Sequence, residues 1–255
     1  MNRAAVLHTA VAVAVAAAVV AGCGHVVGGA ARPASGALGG SSTTSAATSS
    51  TSGAVSPPAA ATPALTSILP DADQWFTILG RQPELSALTM QGSEALGRQD
   101  AIGDWSHRDC LGVVDLGLES VFTAAPVTAV SNGYPVFQTQ VAVVAYADPA
   151  TSGSLFASMA DRWRQCATTS VVDSSTTPPF TSNIGEVDAT PTVVSTTITM
   201  PGSYQQVFQR ALGQAGRCLV DVAVPVSAGP GPPTPTDAAA RAVAAMQDKA
   251  AAASC

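Results

Sequence analysis

The alternation of apolar and polar residues divides the chain into three stretches of different character. Residues 4–19 are an almost uninterrupted run of Ala and Val, and residues 24–66 are dominated by Gly, Ala, Ser, Thr and Pro. Only residues 67–255 contain the helical and strand periodicities expected of a packed core. We therefore predict one folded domain over residues 67–255, preceded by two segments that do not belong to it.

Three segments of this domain have the signals of amphipathic helices. The first runs from Pro70 to Gly80, the second follows Asp148, and the third is Ala-rich and ends near Ala252. We interpret the aromatic stripe of the second helix as core packing rather than as a ligand site. The apolar face of the first helix is expected to contain Ile68, Trp75, Phe76 and Leu79. That of the second is expected to contain Leu155, Phe156, Met159, Trp163 and Cys166. The third helix is expected to be capped by Thr236 or Asp237.

Other segments alternate or are rich in β-branched residues, which predicts strands. Because these strands follow one another through short turns, with helices before, between and after them, we predict an α+β fold. Its sheet is expected to be mainly antiparallel and stabilised by disulfides. The predicted strands are Leu111–Val114, Ser120–Thr123, Val136–Tyr146, Thr192–Met200, Gln205–Ala211 and Cys218–Val224.

The first 22 residues have the features of a bacterial lipoprotein signal peptide. Arg3 supplies a positive charge, the apolar run follows, and small residues at Ala21 and Gly22 precede Cys23. This arrangement resembles the lipobox, in which the cysteine thiol receives a diacylglyceryl group and the mature lipoprotein also carries palmitate. We therefore predict lipidation at Cys23 and location on the extracytoplasmic face of the cell membrane. The alternative is an ordinary cysteine beside an ordinary cleavage site.

Residues 23–66 are predicted to be a lipidated tether. They contain too little bulky apolar surface to offset the entropy lost on folding. A flexible chain of about 40 residues has an r.m.s. reach of roughly 35 Å, which would hold the domain clear of the lipid surface. The Ser/Thr/Pro content suits either an O-glycosylated stalk or an unmodified linker.

The net charge and the distribution of apolar residues exclude two classes of protein. The 255 residues include 11 Lys and Arg against 17 Asp and Glu, a formal charge of −6, which argues against nucleic acid as a partner. The single apolar run excludes a multi-span membrane protein.

Setting Cys23 aside leaves an even number of cysteines, as expected for two disulfides in an oxidising compartment, with three possible connectivities. These cysteines are Cys110, Cys166, Cys218 and Cys255.

The domain is poor in catalytic side chains. It contains no recognisable catalytic or nucleotide-binding motif, and His107 is its only histidine. We interpret the cluster around His107, residues 104–109, as a polar loop rather than a triad. Lys249 is expected on a solvated helix face, and Asp71 and Asp73 at a helix N-terminus rather than in a metal site. We therefore predict no catalytic residue, no metal site, no cofactor and no enzymatic activity.

Several blocks of the domain resemble, in order, the PknH-like extracellular sensor domain family. This family includes the outer domain of an actinobacterial receptor serine/threonine kinase and stand-alone lipoproteins. The resemblance implies an antiparallel sheet packed by helices, with a cleft that binds an unidentified ligand. The matching blocks are Trp75–Gly80, Asp109–Val113, Val121–Phe122, Val141–Tyr146, Trp163–Cys166, Gln209–Leu212 and Leu219–Val222.

The resemblance also implies a disulfide between Cys110 and Cys166. The family's second cysteine pair is absent here, and we expect Cys218 and Cys255 to replace it, since a strand followed by a returning helix brings its two ends together. We predict that the membrane-anchored domain binds an unidentified small-molecule, lipid or envelope ligand. The alternatives are a structural or protein-interaction lipoprotein of the envelope and, with less support, an envelope hydrolase. A pocket lined by Trp or Tyr would favour ligand binding, and a filled core beneath an exposed apolar patch would favour interaction.

Overall fold

The computed structural model describes residues 65–255, apart from residues 87, 89, 137, 203–204, 227–232, 251–252 and 254. Eight strands of this part form one antiparallel sheet, in the order β1-β2-β3-β8-β7-β6-β5-β4. The strands are β1 (Met90–Gln91), β2 (Val127–Val136), β3 (Thr139–Tyr146), β4 (Ser170–Asp173), β5 (Phe180–Ala189), β6 (Val193–Met200), β7 (Gln206–Ala215) and β8 (Cys218–Pro225).

Five α-helices of the described part of the chain accompany the sheet. They are α1 (Ala72–Leu79), α2 (Leu111–Val114), α3 (Glu119–Phe122), α4 (Pro149–Gln165) and α5 (Ala238–Ala250). Helix α4 carries the chain from β3, in the interior of the sheet, to β4 at one edge, and β4 to β8 then return as consecutive antiparallel neighbours. The predicted α+β fold with an antiparallel sheet is therefore confirmed.

Strand β8 is buried along its whole length and lies between two hydrophobic cores, one on each face of the sheet. Its valines at 220, 222 and 224 belong to one core with α1 and α5, and Leu219 belongs to a second core with α2, α3 and α4. We call these two sides the α5 face and the α4 face. Burial on both sides explains why this strand has an almost continuously apolar sequence.

On the α5 face, small residues bring the last helix close to the sheet. A Cβ atom at Gly213 would lie 2.3 Å from Cγ1 of Val243, so any side chain at this position of β7 would push α5 away. Beyond α5 the chain returns to the start of β8, where Cys218 and Cys255 form a disulfide. Their Cα atoms are 5.2 Å apart, within the usual range for a disulfide.

On the α4 face, the core is built around the aromatic stripe predicted from the sequence. Phe156, Met159 and Trp163 of α4 are all buried against the sheet. A disulfide between Cys110 and Cys166 joins the segment before α2 to the end of α4. Each face of the sheet thus has one disulfide among the elements that cover it, and both pairs are the predicted ones.

Helix ends follow the cap residues seen in the sequence. Asp71 accepts a hydrogen bond from the Gln74 N–H at 2.9 Å, and Gly80 ends α1 in the left-handed conformation at φ 69°. At α4, Asp148 accepts from the Thr151 N–H at 2.8 Å. No helix within the described residues is long and apolar enough to cross a bilayer.

Two of the predicted strands are wrong. Leu111–Val114 and Glu119–Phe122 are single helical turns, and their apolar residues pack into the core of the α4 face. A segment of only four residues fits either structure, so periodicity cannot separate a short strand from a helical turn.

The predicted strand from Val136 to Tyr146 contains β3 but also includes the turn before it and the last residue of β2. Strand β2 ends at Val136 and β3 begins at Thr139, with Gln138 at φ 56° in the turn between them. The alternation on each side continues across this turn, which conceals it in the sequence. Strands β4 and β5 were not predicted, because their polar residues give little periodic signal.

Candidate functional site

The α4 face of the sheet is covered by helices at one end only. Where the cover stops, the exposed part of the sheet forms the floor of a cavity of about 490 Å³, the outer pocket. A second cavity of about 150 Å³, the inner pocket, lies beside it. Both are lined by Gln140, Phe208 and Ala223, so together they form one cleft over β3, β8 and β7.

The described residues that line the outer pocket have amide or apolar side chains, and none of them is Asp, Glu, Lys, Arg or His. Tyr134 is 52% exposed, although a side chain of this size is usually covered. The described residues that line this pocket are Tyr134, Gln138, Gln140, Gln205, Gln206, Val207, Phe208, Ala223, Pro225 and Val226. Such a surface offers hydrogen bonds and apolar contact without a net charge.

The inner pocket combines apolar walls with two charged residues. Its wall is formed by the last residue of α2 and the three residues that follow it, residues 114–117, which we call the wall segment. Leu116 of this segment packs on Ala142 and Ala223 of the sheet. Asp115 and Arg210 are the two residues with ionised side chains among those that line it, and the remaining lining residues are Val114, Leu116, Gln140, Ile198, Met200, Phe208 and Ala223.

Arg210 forms a buried ion pair with Asp221 beside the inner pocket. Nη2 of Arg210 lies 2.8 Å from Oδ1 and 2.9 Å from Oδ2 of Asp221, and both side chains are only 2% exposed. Nη1 donates to the carbonyl oxygen of Val113 at 3.0 Å, and Cζ lies 5.5 Å from the centre of the Trp163 ring. Burial raises the pKa of Asp221, and the positive charge of Arg210 opposes that rise.

The same ion pair holds the wall segment on the sheet. The Gly117 N–H donates to Oδ2 of Asp221 at 3.1 Å. Gly117 has φ 67°, and a Cβ atom there would lie 3.3 Å from both Cβ of Ala142 and Nδ2 of Asn132. A glycine is therefore needed at this point, both for the backbone conformation and for the close approach.

Two polar atoms at the inner pocket are buried without a hydrogen-bond partner among the described residues. They are Oδ2 of Asp115 and Nε of Arg210. Burial raises the pKa of the Asp115 carboxyl to about 6, and the nearby charges of Asp100 and Asp221 add to this rise while Arg210 opposes it. Buried polar groups are nearly always paired, so two orphan atoms on residues that line the same cavity indicate a place for a ligand or for water.

The predicted site residues do not meet in this cleft. Cys23 lies outside the described residues, and the other four cysteines form the two disulfides. The side chain of His107 is exposed, and its neighbours hold the local fold. Ser106 accepts from the Val172 N–H, and Arg108 donates to the carbonyl oxygens of Asp100 and Gly103. The loop around His107 therefore contains no triad.

The residues considered as metal ligands or nucleophiles also have structural partners. Asp71 caps α1, as described above, and Lys249 is half-buried rather than solvated as predicted. Nζ of Lys249 donates to the carbonyl oxygen of Leu69 at 2.9 Å and lies 3.5 Å from Oδ2 of Asp71. Asp109 does lie near Cys110 and Cys166, but the disulfide between these two cysteines removes their thiolates.

The residues of the cleft were not predicted from the sequence, although two residues at the cleft lie in blocks that resemble the family. Arg210 and Asp221 lie in the family-like blocks 209–212 and 219–222, which become neighbouring strands paired Leu212 to Asp221 and Arg210 to Ala223. The sequence does contain one signal, because Asp221 is an acid inside the otherwise apolar segment that forms β8. That Arg210 is its partner can be known only from the register of β7 on β8.

Comparison with known proteins gives two findings that agree. The sequence profile of the PknH-like extracellular domain family matches residues 60–249. Among solved structures, the chain is similar to the extracellular domain of PknH from Mycobacterium tuberculosis, with 20% identity and a TM-score of 0.58, over 72% of this chain and 93% of that one. At this identity the structural match shows a shared fold. No curated protein matches the chain.

Proposed function

Since the chain belongs to the PknH-like extracellular domain family, we propose that it is an extracytoplasmic lipoprotein whose domain binds a small ligand in the cleft. The observation that carries the proposal is the cleft itself. An uncovered part of a well-packed sheet exposes aromatic side chains next to two buried, unpartnered polar atoms. Concave sites that combine apolar lining with a few placed polar groups are typical of small-molecule binding.

Native mass spectrometry of the full chain, isolated from its own envelope in mild detergent, tests ligand binding. We expect a species whose mass exceeds that of the lipidated polypeptide by a retained ligand. Phe208→Ala removes the aromatic floor of both pockets and should lower the retained fraction. Phe180→Ala is the matched control, because Phe180 is 43% exposed on β5, outside both pockets. Equal retention in both variants, or none in the natural chain, would contradict the proposal.

The proposed anchor is a diacylglyceryl group on Cys23, supported by the apolar run and the small residues that precede this cysteine. Two lipid chains bind a membrane stably where one binds only marginally. We expect Cys23→Ser to leave the protein unprocessed or to release it from the membrane fraction, while Ser50→Ala in the tether changes neither. A cleaved Cys23→Ser protein that still sediments with membranes would rule out the lipid anchor.

We propose a binding protein rather than an enzyme, because the described residues that line the cleft include no pair of nucleophile and general base. Apart from Tyr134, the ionisable residues that line it are Asp115 and Arg210, and Arg210 is engaged by Asp221. His107→Ala is expected to leave both folding and ligand retention nearly unchanged. A large loss of retention with an unchanged melting temperature would place the site in the polar loop around His107 instead.

A second candidate function is binding of another envelope protein through the β1 edge of the sheet. Leu85 is 50% exposed and Met90 is 40% exposed, and both pair with β2 beside the equally exposed Tyr134. A photo-crosslinking residue at Met90 should then capture one partner in whole cells, whereas the same residue at Ile102 should not. Equal labelling at the two positions would argue against this edge.

A further inference from the structure

The chemistry of the cleft restricts the class of ligand beyond the proposed function, on which this step rests. None of the described residues that line the outer pocket carries a full charge, so an anion or a cation would give up its hydration there without gaining a counter-ion. At the inner pocket an anion would also meet the carboxylate of Asp115, whereas the charge of Arg210 is already balanced by Asp221. Anions are therefore disfavoured throughout the cleft, and cations are disfavoured in the outer pocket, which makes up most of its volume.

A purely apolar ligand fits no better. Four glutamine side chains line the outer pocket, at positions 138, 140, 205 and 206. Each amide presents two N–H donors and a carbonyl acceptor. An acyl chain would cover these groups without replacing their hydrogen bonds to water, and burying an unpaired amide costs free energy. The cleft requires many neutral hydrogen-bonding groups on the ligand, together with an apolar surface to lie against Phe208 and Tyr134.

The inner pocket adds a more specific requirement. Its orphan atoms are one acceptor, Oδ2 of Asp115, and one donor, the Nε–H of Arg210. A hydroxyl group both donates and accepts, so two neighbouring hydroxyls would satisfy both atoms without bringing a charge into the pocket. Arg210 is held by Asp221, Val113 and Trp163, so its donor is fixed in place before a ligand arrives.

We propose that the cleft binds a neutral saccharide, with adjacent hydroxyls of one sugar residue hydrogen-bonded to Asp115 and Arg210 in the inner pocket. The flat C–H surface of a pyranose lies against the aromatic rings of the cleft, and the glutamine amides bind the hydroxyls that project from its edge. Asp115 is the specificity residue in this arrangement, because its carboxylate forms a charge-assisted hydrogen bond with the sugar.

The test uses the full chain in lipid nanodiscs, with empty nanodiscs as the blank, and isothermal titration calorimetry. The neutral probes are oligosaccharides of glucose, mannose and galactose. The charged probes are oligomers of glucuronic acid and of glucosamine. The remaining probes are a medium-chain fatty acid and a peptide with the sequence of residues 40–56 of the predicted tether. We expect a neutral oligosaccharide to bind and Asp115→Asn to weaken it about tenfold or more, the usual loss for a hydrogen bond to a charged group. Asp248→Asn makes the same chemical change on an exposed helix position and should leave affinity unchanged.

The outcomes separate this inference from the proposed function. The charged oligomers, the fatty acid or the peptide could instead bind best, with that binding lost in Phe208→Ala. This result would overturn the proposal of a neutral saccharide but would still support a ligand-binding cleft. Saccharide binding that Asp115→Asn does not weaken, with that variant folded by its melting curve, would overturn the assignment to the inner pocket. If no probe binds and the protein from the envelope retains no ligand, both proposals fail.

Discussion

Asp115 and Asp221 are two acids of the same cleft with opposite hydrogen-bonding situations. Asp221 accepts from Arg210 and from the Gly117 N–H, whereas Oδ2 of Asp115 has no partner among the described residues. The first acid holds the fold together, and the second weakens it when ionised. A group that costs stability in the absence of a ligand is typical of a binding site, and it leads to two predictions about single side chains.

Asp115→Asn should stabilise the protein above the pKa of the aspartate. The folded-state pKa of about 6 is higher than the ordinary value of 3.8, so the free energy of unfolding falls as the pH rises from about 3.8 to about 6, and it stays at the lower value above that range. Asparagine avoids this loss, and we expect about 1–3 kcal/mol more stability at pH 7.5 and little difference at pH 4. Urea unfolding at both pH values checks this, with Asp248→Asn as the control. An equal effect at the two pH values would contradict it.

Removing one member of the buried ion pair should be strongly destabilising. Asp221→Ala leaves the guanidinium of Arg210 buried without its counter-ion, which typically costs about 3–5 kcal/mol. Asp161→Ala breaks the exposed pair with Arg164 on α4, where both side chains are at least half exposed, and should cost less than about 1 kcal/mol. Denaturant unfolding of the two variants compares them directly. Similar losses of unfolding free energy in the two variants would contradict the expectation that the buried pair matters more to stability than the exposed one.

Among the secondary-structure elements, the wall segment at residues 114–117 connects the fold to the cleft. It has little regular structure of its own and is held by Val113 and Gly117, both of which contact the buried ion pair. The wall segment is therefore held by a polar network in addition to the packing of Leu116, whereas α4 and α5 are held mainly by apolar packing. A backbone change in the wall segment should consequently affect binding as well as stability.

Gly117→Ala should displace this wall segment. The left-handed φ of 67° and the two 3.3 Å approaches to Ala142 and Asn132 together should cost about 1–3 kcal/mol. Because the Gly117 N–H also holds Asp221, we expect weaker ligand retention in the cleft as well. Gly202→Ala, where no atom lies within 4 Å of the added Cβ, is the control and should be nearly neutral. Thermal melting and native mass spectrometry measure the two effects.

How far the sequence predicts these elements depends on their length and on where their partners lie. Helices α1, α4 and α5 carry caps and several turns of periodicity, so they could be read directly. The turns at α2 and α3 are too short to separate from strands, and the turn at Gln138 is hidden by continuous alternation. The cleft could not be predicted, because it depends on which rows of β3, β8 and β7 the helices leave uncovered. The pair Arg210 and Asp221 depends in the same way on strand register.

At the scale of the whole molecule, two disulfides secure the layers on the two faces of the sheet. The pair Cys110 and Cys166 closes a loop of 56 residues on the α4 face, and the pair Cys218 and Cys255 closes one of 37 residues on the α5 face. Loop-closure entropy depends only weakly on length, so the two bridges should stabilise the protein by similar amounts, roughly 4 kcal/mol each.

The two disulfides should nevertheless differ in their effect on the cleft. Cys110→Ser with Cys166→Ser releases the segment that leads into α2 and the wall, so we expect loss of stability together with weaker ligand retention. The pair Cys218→Ser with Cys255→Ser loosens only the opposite face and should lower the melting temperature while the remaining folded protein keeps its ligand. Differential scanning calorimetry and native mass spectrometry measure these effects. Equal loss of retention in both pairs would refute the division of roles between the faces.

The two outer strands of the sheet have a consequence for a protein held at a membrane surface, as proposed here. The eight-stranded sheet has β1 and β4 at its two edges, but β1 is two residues long and β4 is four. Trp105 bridges to Asp173 of β4, and the Ser106 N–H donates to the Val172 carbonyl oxygen at 2.9 Å, so part of the second edge is already occupied. Neighbouring copies concentrated on one bilayer would meet edge to edge far more often than copies in dilute solution. With so few peptide groups left to pair, crowding brings them together without fusing their sheets into an aggregate.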